Sequence, residues 1–339
     1  LIDLLLTRWA ERHQPKAGSA STSPTVETLG ELLRDPGVSN LKLEHLLQLI
    51  AELAHDHYRG GQAETLILIP EATLRKKLVA KHCDPDTEKV AAWAEKVMNF
   101  IQFRAGLLNS PDGGEHYDFP HSLLGEYLAA YHLCLDRDYP RIAAKVTPDG
   151  NWDEVIRLVA GHYVFVDSYT RGAVKLIEEL CQPAVKATRA EAVTDLEWRR
   201  VALAADILHE MGPYHLEQEQ GSDPPCRNLV RRLLVQLVER GALPARDRAR
   251  AGTILGEFED PRPGVGLKGG LPEFYWLELP GGEFELGARP GRRVKVSAFR
   301  LSQYPLTVAQ YQAFLDDSKG YDDPLWWETT EDADRKSVV

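Results

Sequence analysis

The chain has 339 residues and carries 51 acidic against 40 basic side chains, which gives a formal net charge of −11. An acidic surface opposes broad binding to a phosphate backbone, so the composition disfavours nucleic acid as a partner and favours a protein or a small molecule. The length leaves room for two or three domains with sizeable cores.

The cysteine and hydropathy patterns predict a cytoplasmic location without a membrane span. The four cysteines lie far apart and form no Cys-x-x-Cys pair, which excludes an obvious disulfide framework or zinc cluster. No apolar run of about 18 residues is present. The apolar start is interrupted by Asp3 and lacks the basic leader of a signal peptide. We interpret both ends as cuts within a longer chain.

The first half begins with a linker and then turns helical. Residues 15–28 are rich in Ser, Thr, Ala and Pro, a composition that favours a linker. From Leu43 to Ala54, apolar residues recur every three or four positions, which predicts an amphipathic helix. A short β-branched run at 66–69 predicts a strand, and further helices are expected over 71–81 and 86–108.

A hairpin and a long helix follow. Residues 110–115 combine Pro, Asp and Gly between two short extended stretches, which is typical of a hairpin turn. The next helix begins near His121, and its predicted buried face consists of apolar and tyrosyl side chains: Leu124, Tyr127, Leu128, Tyr131 and Leu135. Helices, hairpin and helix together indicate a winged-helix domain over residues 1–140.

The middle and the end of the chain differ in character. Helical patterns recur through residues 141–262 and predict stacked helical hairpins without a fixed repeat. A Pro- and Gly-rich connector at 260–264 marks a boundary. Beyond it, residues 276–287 predict strand, turn and strand, a second strand region follows at 294–301, and Thr307 with Gln310 forms a capping box. The expected buried face of the helix that follows is Tyr311, Phe314 and Leu315.

Residues 1–260 resemble the part of bacterial NACHT-type signal-transduction ATPases that follows the ATPase domain. The similar stretches are 4–9, 119–130 and 152–158, and the middle one is the most specific because Phe119, His121, Glu126 and Tyr127 match a Phe-x-His-x-x-x-x-Glu-Tyr pattern. In that family the winged-helix histidine reaches the nucleotide phosphates and helps to hold the closed, ADP-bound state. The resemblance therefore implies this role for His121, although Pro120 stands where other residues are usual.

The residues alone leave the role of His121 open. An imidazole at a helix N-terminus can donate a hydrogen bond to an anion, or it can merely cap its own helix or pack. The chain contains no GxxxxGK[ST] loop and so cannot hydrolyse ATP by itself. The resemblance implies that ATP or ADP with Mg is bound by an upstream nucleotide-binding domain, which is then a partner of this chain, and that the activated protein forms an oligomer.

Residues 272–327 resemble the opening of formylglycine-generating enzymes, whose fold is a C-type-lectin-like mixed α/β module. The similar motifs are Pro-Gly-Gly-x-Phe-x-x-Gly from Pro280, the stretch 304–314, and the pair Trp326–Trp327. Enzymes of that family oxidise a substrate cysteine with a copper-binding cysteine pair, but no cysteine follows Cys226, so the resemblance carries no oxidase activity over to this chain. Noncatalytic relatives bind ligands, and some are variable proteins of diversity-generating retroelements. Trp326 and Trp327 are weak candidates for a ligand platform, and core packing or loop anchoring is the favoured interpretation of the pair.

Other sites find little support in the sequence. His55 and His57 lie two apart on a helix, where side chains do not converge, so we expect no metal site. We predict no catalytic residue and no cofactor in the chain shown.

The predicted fold is mainly α: a winged-helix domain over 1–140, a helical domain over 141–262, and an incomplete mixed α/β lectin-like domain over 263–339. The predicted function is the regulatory and sensor portion of a NACHT-type signalling switch, with a protein or small-molecule ligand at the lectin-like end, in bacterial defence or self/non-self signalling. A formylglycine-generating oxidase on a helical scaffold and a winged-helix DNA-binding regulator are the alternatives.

Overall fold

The computed structural model describes residues 32–34, 38–60, 68–80, 87–104, 107–136, 138–146, 152–187, 192–217, 226–287 and 291–326. The predicted helix at 4–9, the linker at 15–28, Cys83 and Trp327 lie outside these residues. The chain divides into two compact units, one formed by residues 1–183 with 206–220 and the other by residues 184–205 with 221–339.

The first unit contains the helices and the wing predicted from the sequence. Its first elements are α1 (Leu43–Gly60), β1 (Ile69–Pro70), α2 (Glu71–Ala80) and α3 (Thr87–Asn99), and α3 continues as a π-helix over Phe100–Arg104. The expected helix over 86–108 is therefore too long, because Leu107 and Leu108 already belong to the bend that leads into the wing.

The wing is held by backbone hydrogen bonds on both sides. Asn109 and Asp118 exchange N–H···O bonds of 2.8 Å across the turn, as the predicted hairpin requires. Strand β2 (His116–Tyr117) pairs with β1 rather than within the hairpin, with Ile69 opposite Tyr117. The short strand before α2 thus becomes the outer partner of the wing.

Helix α4 (Ser122–Cys134) lies between α1 and α6 (Asp153–Gly161). Its buried side is formed mostly by small and leucyl residues: Gly125, Leu128, Ala129, Ala130 and Leu133. The predicted face is only partly right, because Leu128 is buried, whereas Tyr127 and Tyr131 are half-buried and Leu135 is exposed. Two helices flank α4, so its buried surface is wider than a single stripe and draws on the small residues.

The helical pattern continues through the middle of the chain. The helices are α5 (Tyr139–Val146), α6 with a π-helical extension over His162–Val166, α7 (Thr170–Lys186), α8 (Asp195–Glu217), α9 (Cys226–Glu239) and α10 (Ala245–Glu257). Gly212 interrupts α8 with a φ of 73°. Helices α9 and α10 pack against each other as an antiparallel hairpin, as expected from their short connection.

Small antiparallel sheets and one helix follow α10. The strands are β3 (Leu267–Lys268), β4 (Leu271–Pro272), β5 (Trp276–Leu279), β6 (Gly282–Leu286), β7 (Arg292–Val296) and β8 (Phe299–Ser302). They precede α11 (Val308–Asp316) and a 3₁₀ turn over Pro324–Trp326. Strand β3 pairs with β4, and the β6–β7 pair is nested within the β5–β8 pair, so the two strands predicted over 276–287 exist but do not pair with each other. The expected strand region at 294–301 likewise divides into β7 and β8.

The helix after the strands begins as predicted and buries a different side chain. Thr307 and Gln310 form the capping box in both directions. Gln310, rather than Tyr311, Phe314 or Leu315, is the buried residue of α11; Tyr311 and Phe314 are half-buried and Leu315 is exposed. The expected face is therefore only partly right, because Gln310 takes the buried position of this helix, where its amide nitrogen donates to the carbonyl oxygens of Gly264 and Glu273.

The predicted fold class, mainly α with a partial mixed α/β region at the C-terminal end, is confirmed. Within the described ranges, none of the helices combines the length and the apolarity that a bilayer crossing demands.

Candidate functional site

His121 lies directly before α4 and is open to solvent. It is the N-cap residue of the helix, with extended backbone angles of −138° and 135°, and its side chain makes no capping hydrogen bond. The residue is exposed. The two ordinary roles that the sequence allowed, capping its own helix and packing in the core, are therefore not what this imidazole does.

The segment before His121 is anchored so that the helix start is fixed. Phe119 is buried, and a Cβ on Gly125 would come within 3.1 Å of its ring, so the glycine gives the ring space to lie against the first turn. His57 meets the Phe119 ring edge-on at 6.3 Å. With the aromatic ring held on α1 and α4, the next two residues turn outward and place His121 beside the helix N-terminus, where the helix dipole favours an anion.

A polar cluster contacts the same helix start. The Tyr58 hydroxyl donates to the Ser122 carbonyl oxygen at 3.4 Å and lies near the Glu126 carboxylate. Burial raises the pKa of Tyr58 well above its ordinary value, and the nearby Glu126 carboxylate adds to the effect. Burial, with Glu154 nearby, also raises the pKa of Glu126. Glu126 is thus a half-buried partner of Tyr58 rather than a solvated side chain.

Arg157 extends this cluster along α6. Its guanidinium pairs with Glu154 in the same helix, and Nη1 lies 3.7 Å from Oε1 of Glu210 in α8. The same guanidinium lowers the pKa of Glu126, which opposes the effect of burial. The Arg157 guanidinium therefore interacts with three carboxylates that come from three helices. No sequence pattern signals this grouping, because the three carboxylates are 28 to 84 positions apart.

Two histidines meet between α1 and α4. The rings of His55 and His132 have centroids 4.7 Å apart, and the Trp152 ring lies edge-on to His55 at 5.4 Å. Burial lowers the pKa of both, and for His55 the neighbouring His132 lowers it further. A cavity of about 380 Å³ adjoins this pair and is lined by residues that include His45, Glu52, Lys77, His132 and Leu135.

The wing brings together one group that could hold a metal ion. One ligand atom from each of Asp112, Glu115 and His116 lies within 4.8 Å of the others, on an exposed turn. The Asp112 carboxylate also accepts bonds from the backbone N–H of His116 and from its Nδ1, at 2.9 and 2.6 Å. These bonds lower the pKa of Asp112 to about 2 and by themselves account for the arrangement as the closure of the wing. His55 and His57 do not join a metal-ligating group within the described residues.

Trp326 is the part of the C-terminal candidate pair that the structure describes. Its indole N–H donates to the Lys319 carbonyl oxygen at 2.6 Å, and its ring lies edge-on to Phe314 at 6.3 Å. More than half of the side chain is nevertheless exposed. Trp326 therefore anchors its loop through the nitrogen while much of its side chain stays exposed. Trp327 lies outside the described residues.

Comparison with known proteins identifies two regions of the chain. Residues 1–133 match the family described as the winged helix-turn-helix domain C-terminal to NACHT, and residues 272–338 match the sulfatase-modifying factor enzyme 1-like domain. The resemblance of both regions is thus confirmed.

One curated relative is the hercynine oxygenase of Mycolicibacterium smegmatis (strain ATCC 700084 / mc(2)155), which is 35% identical over 78 residues. The match covers 19% of this chain and 18% of the relative, so the chain spans less than a fifth of that protein's length. No solved structure matches the chain.

Proposed function

We propose that this chain, which joins a NACHT-associated winged helix to a region similar to the sulfatase-modifying factor, is the regulatory and sensor portion of a signalling switch. In the proposal, His121 contacts the phosphates of ADP held with Mg by an upstream nucleotide-binding domain. This contact stabilises the closed state. Its loss favours an open state that assembles into oligomers.

The exposure of His121 carries the proposal. An imidazole at the open end of a helix can donate a hydrogen bond to a phosphate oxygen, and the helix dipole favours the same negative charge. The side chain is exposed and makes no capping bond, so it has no structural task within the helix that would compete with a nucleotide. The buried Phe119 and the Tyr58–Glu126 pair hold the helix start in place, so that the contact costs little ordering.

The test uses the complete protein with its nucleotide-binding domain. His121→Ala is expected to weaken ADP binding by about tenfold to a hundredfold, the range for one charge-assisted hydrogen bond. It should also raise the oligomeric fraction seen by light scattering. Isothermal titration gives the affinity, and His121→Gln, which keeps a donor, should restore part of it.

The matched control is His209→Ala, at an exposed histidine in α8. This control should leave both the ADP affinity and the oligomeric state unchanged. If His121→Ala behaves like the control, His121 is not part of a nucleotide contact and the proposed switch loses its basis.

For the C-terminal region we propose recognition of a protein or small-molecule ligand, in bacterial defence or self/non-self signalling. Support comes from the exposed side chain of Trp326, since exposed aromatic rings supply contact area at low entropic cost. Ligand binding would then shift the closed state towards the open one by its differential affinity for the two. Once a ligand is identified, Trp326→Ala should weaken its binding, while the exposed Lys319→Ala should not.

The match to a hercynine oxygenase favours a second candidate, an oxidising enzyme on a helical scaffold. Residues 272–338 contain no cysteine. A thiol-based oxidase would therefore need its cysteine pair from sequence beyond this stretch. Sequencing the gene past residue 339 discriminates the two, because two closely placed downstream cysteines would support the enzyme.

A further inference from the structure

The connector between α10 and β3, residues 259–266, contacts both of its neighbours. It belongs to the same compact unit as α9, α10 and the strands that follow. Its Pro and Gly content suggests a flexible boundary. In the structure, however, the side chains of Asp260 and Arg262 are only 9% and 14% exposed, and Val265 is buried.

Helix α9 holds the entrance of the connector. Phe258, the last residue before it, is buried. The Arg227 guanidinium lies 5.5 Å from the centroid of the Phe258 ring, and Nη1 of Arg231 donates to the Phe258 carbonyl oxygen at 3.5 Å. Both arginines come from α9, so the helical hairpin fixes the direction in which the chain leaves it.

A buried ion pair fixes the middle of the connector. The Asp260 carboxylate accepts from the backbone N–H of Arg262 at 3.0 Å and from its Nη2 at 2.6 Å. The same guanidinium lies 5.6 Å from the centroid of the Tyr304 ring, which follows β8. Bidentate, shielded pairs of this kind have far less freedom than solvent-exposed ones. The connector thus contacts the strand region through a rigid side chain.

Gln310 fixes the end of the connector from α11. It is 1% exposed. Its amide nitrogen faces the carbonyl oxygens of Gly264, Gly266 and Glu273 at 3.2, 3.4 and 2.5 Å. Its amide oxygen accepts from Thr307 at 3.0 Å, and the Thr307 hydroxyl donates to Val265 at 3.0 Å. The capping box of α11 is therefore also the clamp on the connector.

Gly264 allows this close approach. Its φ is 89°, and a Cβ there would lie 2.8 Å from the backbone nitrogen of Tyr275. Glycine adopts this conformation without strain and leaves the space that the clamp needs. Its N–H in turn lies 3.4 Å from the Glu273 carboxylate.

We infer that residues 259–266 form a rigid joint, through which the α9–α10 hairpin and the region from β3 to α11 move as one body. A displacement of the strand region then reaches the helical hairpin directly instead of being absorbed by a loose linker. The inference is independent of His121 and holds whether or not the chain takes part in a nucleotide-dependent switch.

Hydrogen exchange on the full chain tests the joint. A rigid joint protects the amides of Arg262 and Gly264, and added denaturant should open them together with the amides of α9, α10 and α11. A loose linker would exchange these amides at the rate of an unstructured peptide while the helices remain protected. That result in the unaltered protein would overturn the inference without any variant.

Variants test the clamp itself. Gln310→Leu keeps the size of the side chain and removes its hydrogen bonds, and we expect exchange at Arg262 and Gly264 to accelerate about tenfold or more. Gln312→Leu is the matched control, since Gln312 lies on the exposed side of the same helix, and it should change neither amide. Equal rates in Gln310→Leu and the control would contradict the clamp. If Gln310→Leu fails to fold, Arg262→Leu with the same readout removes the ion pair instead.

Discussion

His121 shows that the surroundings of a side chain decide between the roles its sequence position allows. The sequence placed a histidine at a helix start, where capping, packing and anion contact were all open. The exposed ring without a capping bond removes the first two. What remains is a donor at the positive end of a helix dipole. Its nucleotide contact stays a prediction.

His55 and His132 make the winged-helix region sensitive to acid. Both pKa values lie below the ordinary 6.5 in the folded protein, because burial disfavours the charged form. The facing charges are Glu52, Asp56, Arg59, Lys77 and Asp136. Below about pH 6.5 the unfolded chain therefore binds more protons than the folded one. Stability is fully present above that pH and falls as the pH drops through the two lowered values.

Urea unfolding at pH about 7.5 and about 5.5 measures the effect, and the free energy of unfolding should be smaller at the lower pH. His132→Gln removes one titrating ring and one source of the lowered His55 pKa, so it should flatten the pH dependence. A slope that His132→Gln leaves unchanged would show that other groups cause it.

Truncation of Leu128 measures how much the packing around α4 contributes to stability. It is 1% exposed between α1 and α6. Leu128→Ala should lower the free energy of unfolding by about 2–5 kcal/mol, the cost of a cavity that the neighbouring helices cannot close. Leu135→Ala, at the exposed end of the same helix, should change it by less than about 0.5 kcal/mol. Denaturant titration of both variants provides the comparison, and equal losses would contradict the burial described.

At the scale of elements, local signals predicted where helices and strands lie better than which ones pair. The capping box of α11 follows from residues three positions apart, so the sequence predicted it. The pairing of β5 with β8 depends on Leu277 opposite Leu301, 24 positions away. The π-helical end of α3 also escaped prediction, because the apolar period continues through it.

The capping box offers an element-scale test. Thr307→Ala removes the acceptor for the Gln310 N–H and the donor to Val265, so it should lower the stability of the C-terminal unit by about 1 kcal/mol. Thr307→Ser keeps the hydroxyl and should cost much less. Thermal unfolding, monitored by hydrogen exchange of the α11 amides, measures the stability of both variants. Equal behaviour of the two would show that the hydroxyl is not the stabilising group.

For the molecule as a whole, the important feature is that two C-terminal strand pairs, β5–β8 and β6–β7, each have one apolar face. Leu277 and Leu301 are paired on one face of β5–β8, and Phe284 and Val294 on one face of β6–β7. The opposite faces carry ion-paired or charged side chains such as Glu278 with Arg300. Leu301 and Phe284 are nevertheless more than half exposed. Alternation of this kind normally buries the apolar face, so we expect these exposed faces to bind other apolar surfaces.

We therefore expect the chain to bind an apolar-surface dye and to associate at high concentration. Leu301→Gln should reduce both dye fluorescence and concentration-dependent light scattering, since it removes the centre of one apolar face. Arg300→Gln, the neighbouring residue on the opposite face, should leave both signals near those of the unaltered chain. A chain that binds no dye and stays monodisperse would contradict the prediction.

The sequence predicted the organisation of the whole chain only where it contains recognisable motifs. The stretch around His121 and the Pro-Gly-Gly stretch from Pro280 led to both family resemblances, and the comparisons confirmed them. The His55–His132 contact and the carboxylates around Arg157 were not accessible, because they join residues from different helices. Only the folded chain brings such residues together, and neither spacing nor composition signals them.

The buried amide of Gln310 has a practical consequence for dividing the molecule. A fragment that starts at Leu271 would look sensible from composition, since it follows Gly269 and Gly270. It would discard the Gly264 and Gly266 carbonyl groups that this amide contacts and leave the buried amide without two of its three acceptors. Such a fragment should express poorly, whereas one that begins at Ala184 contains the whole compact unit.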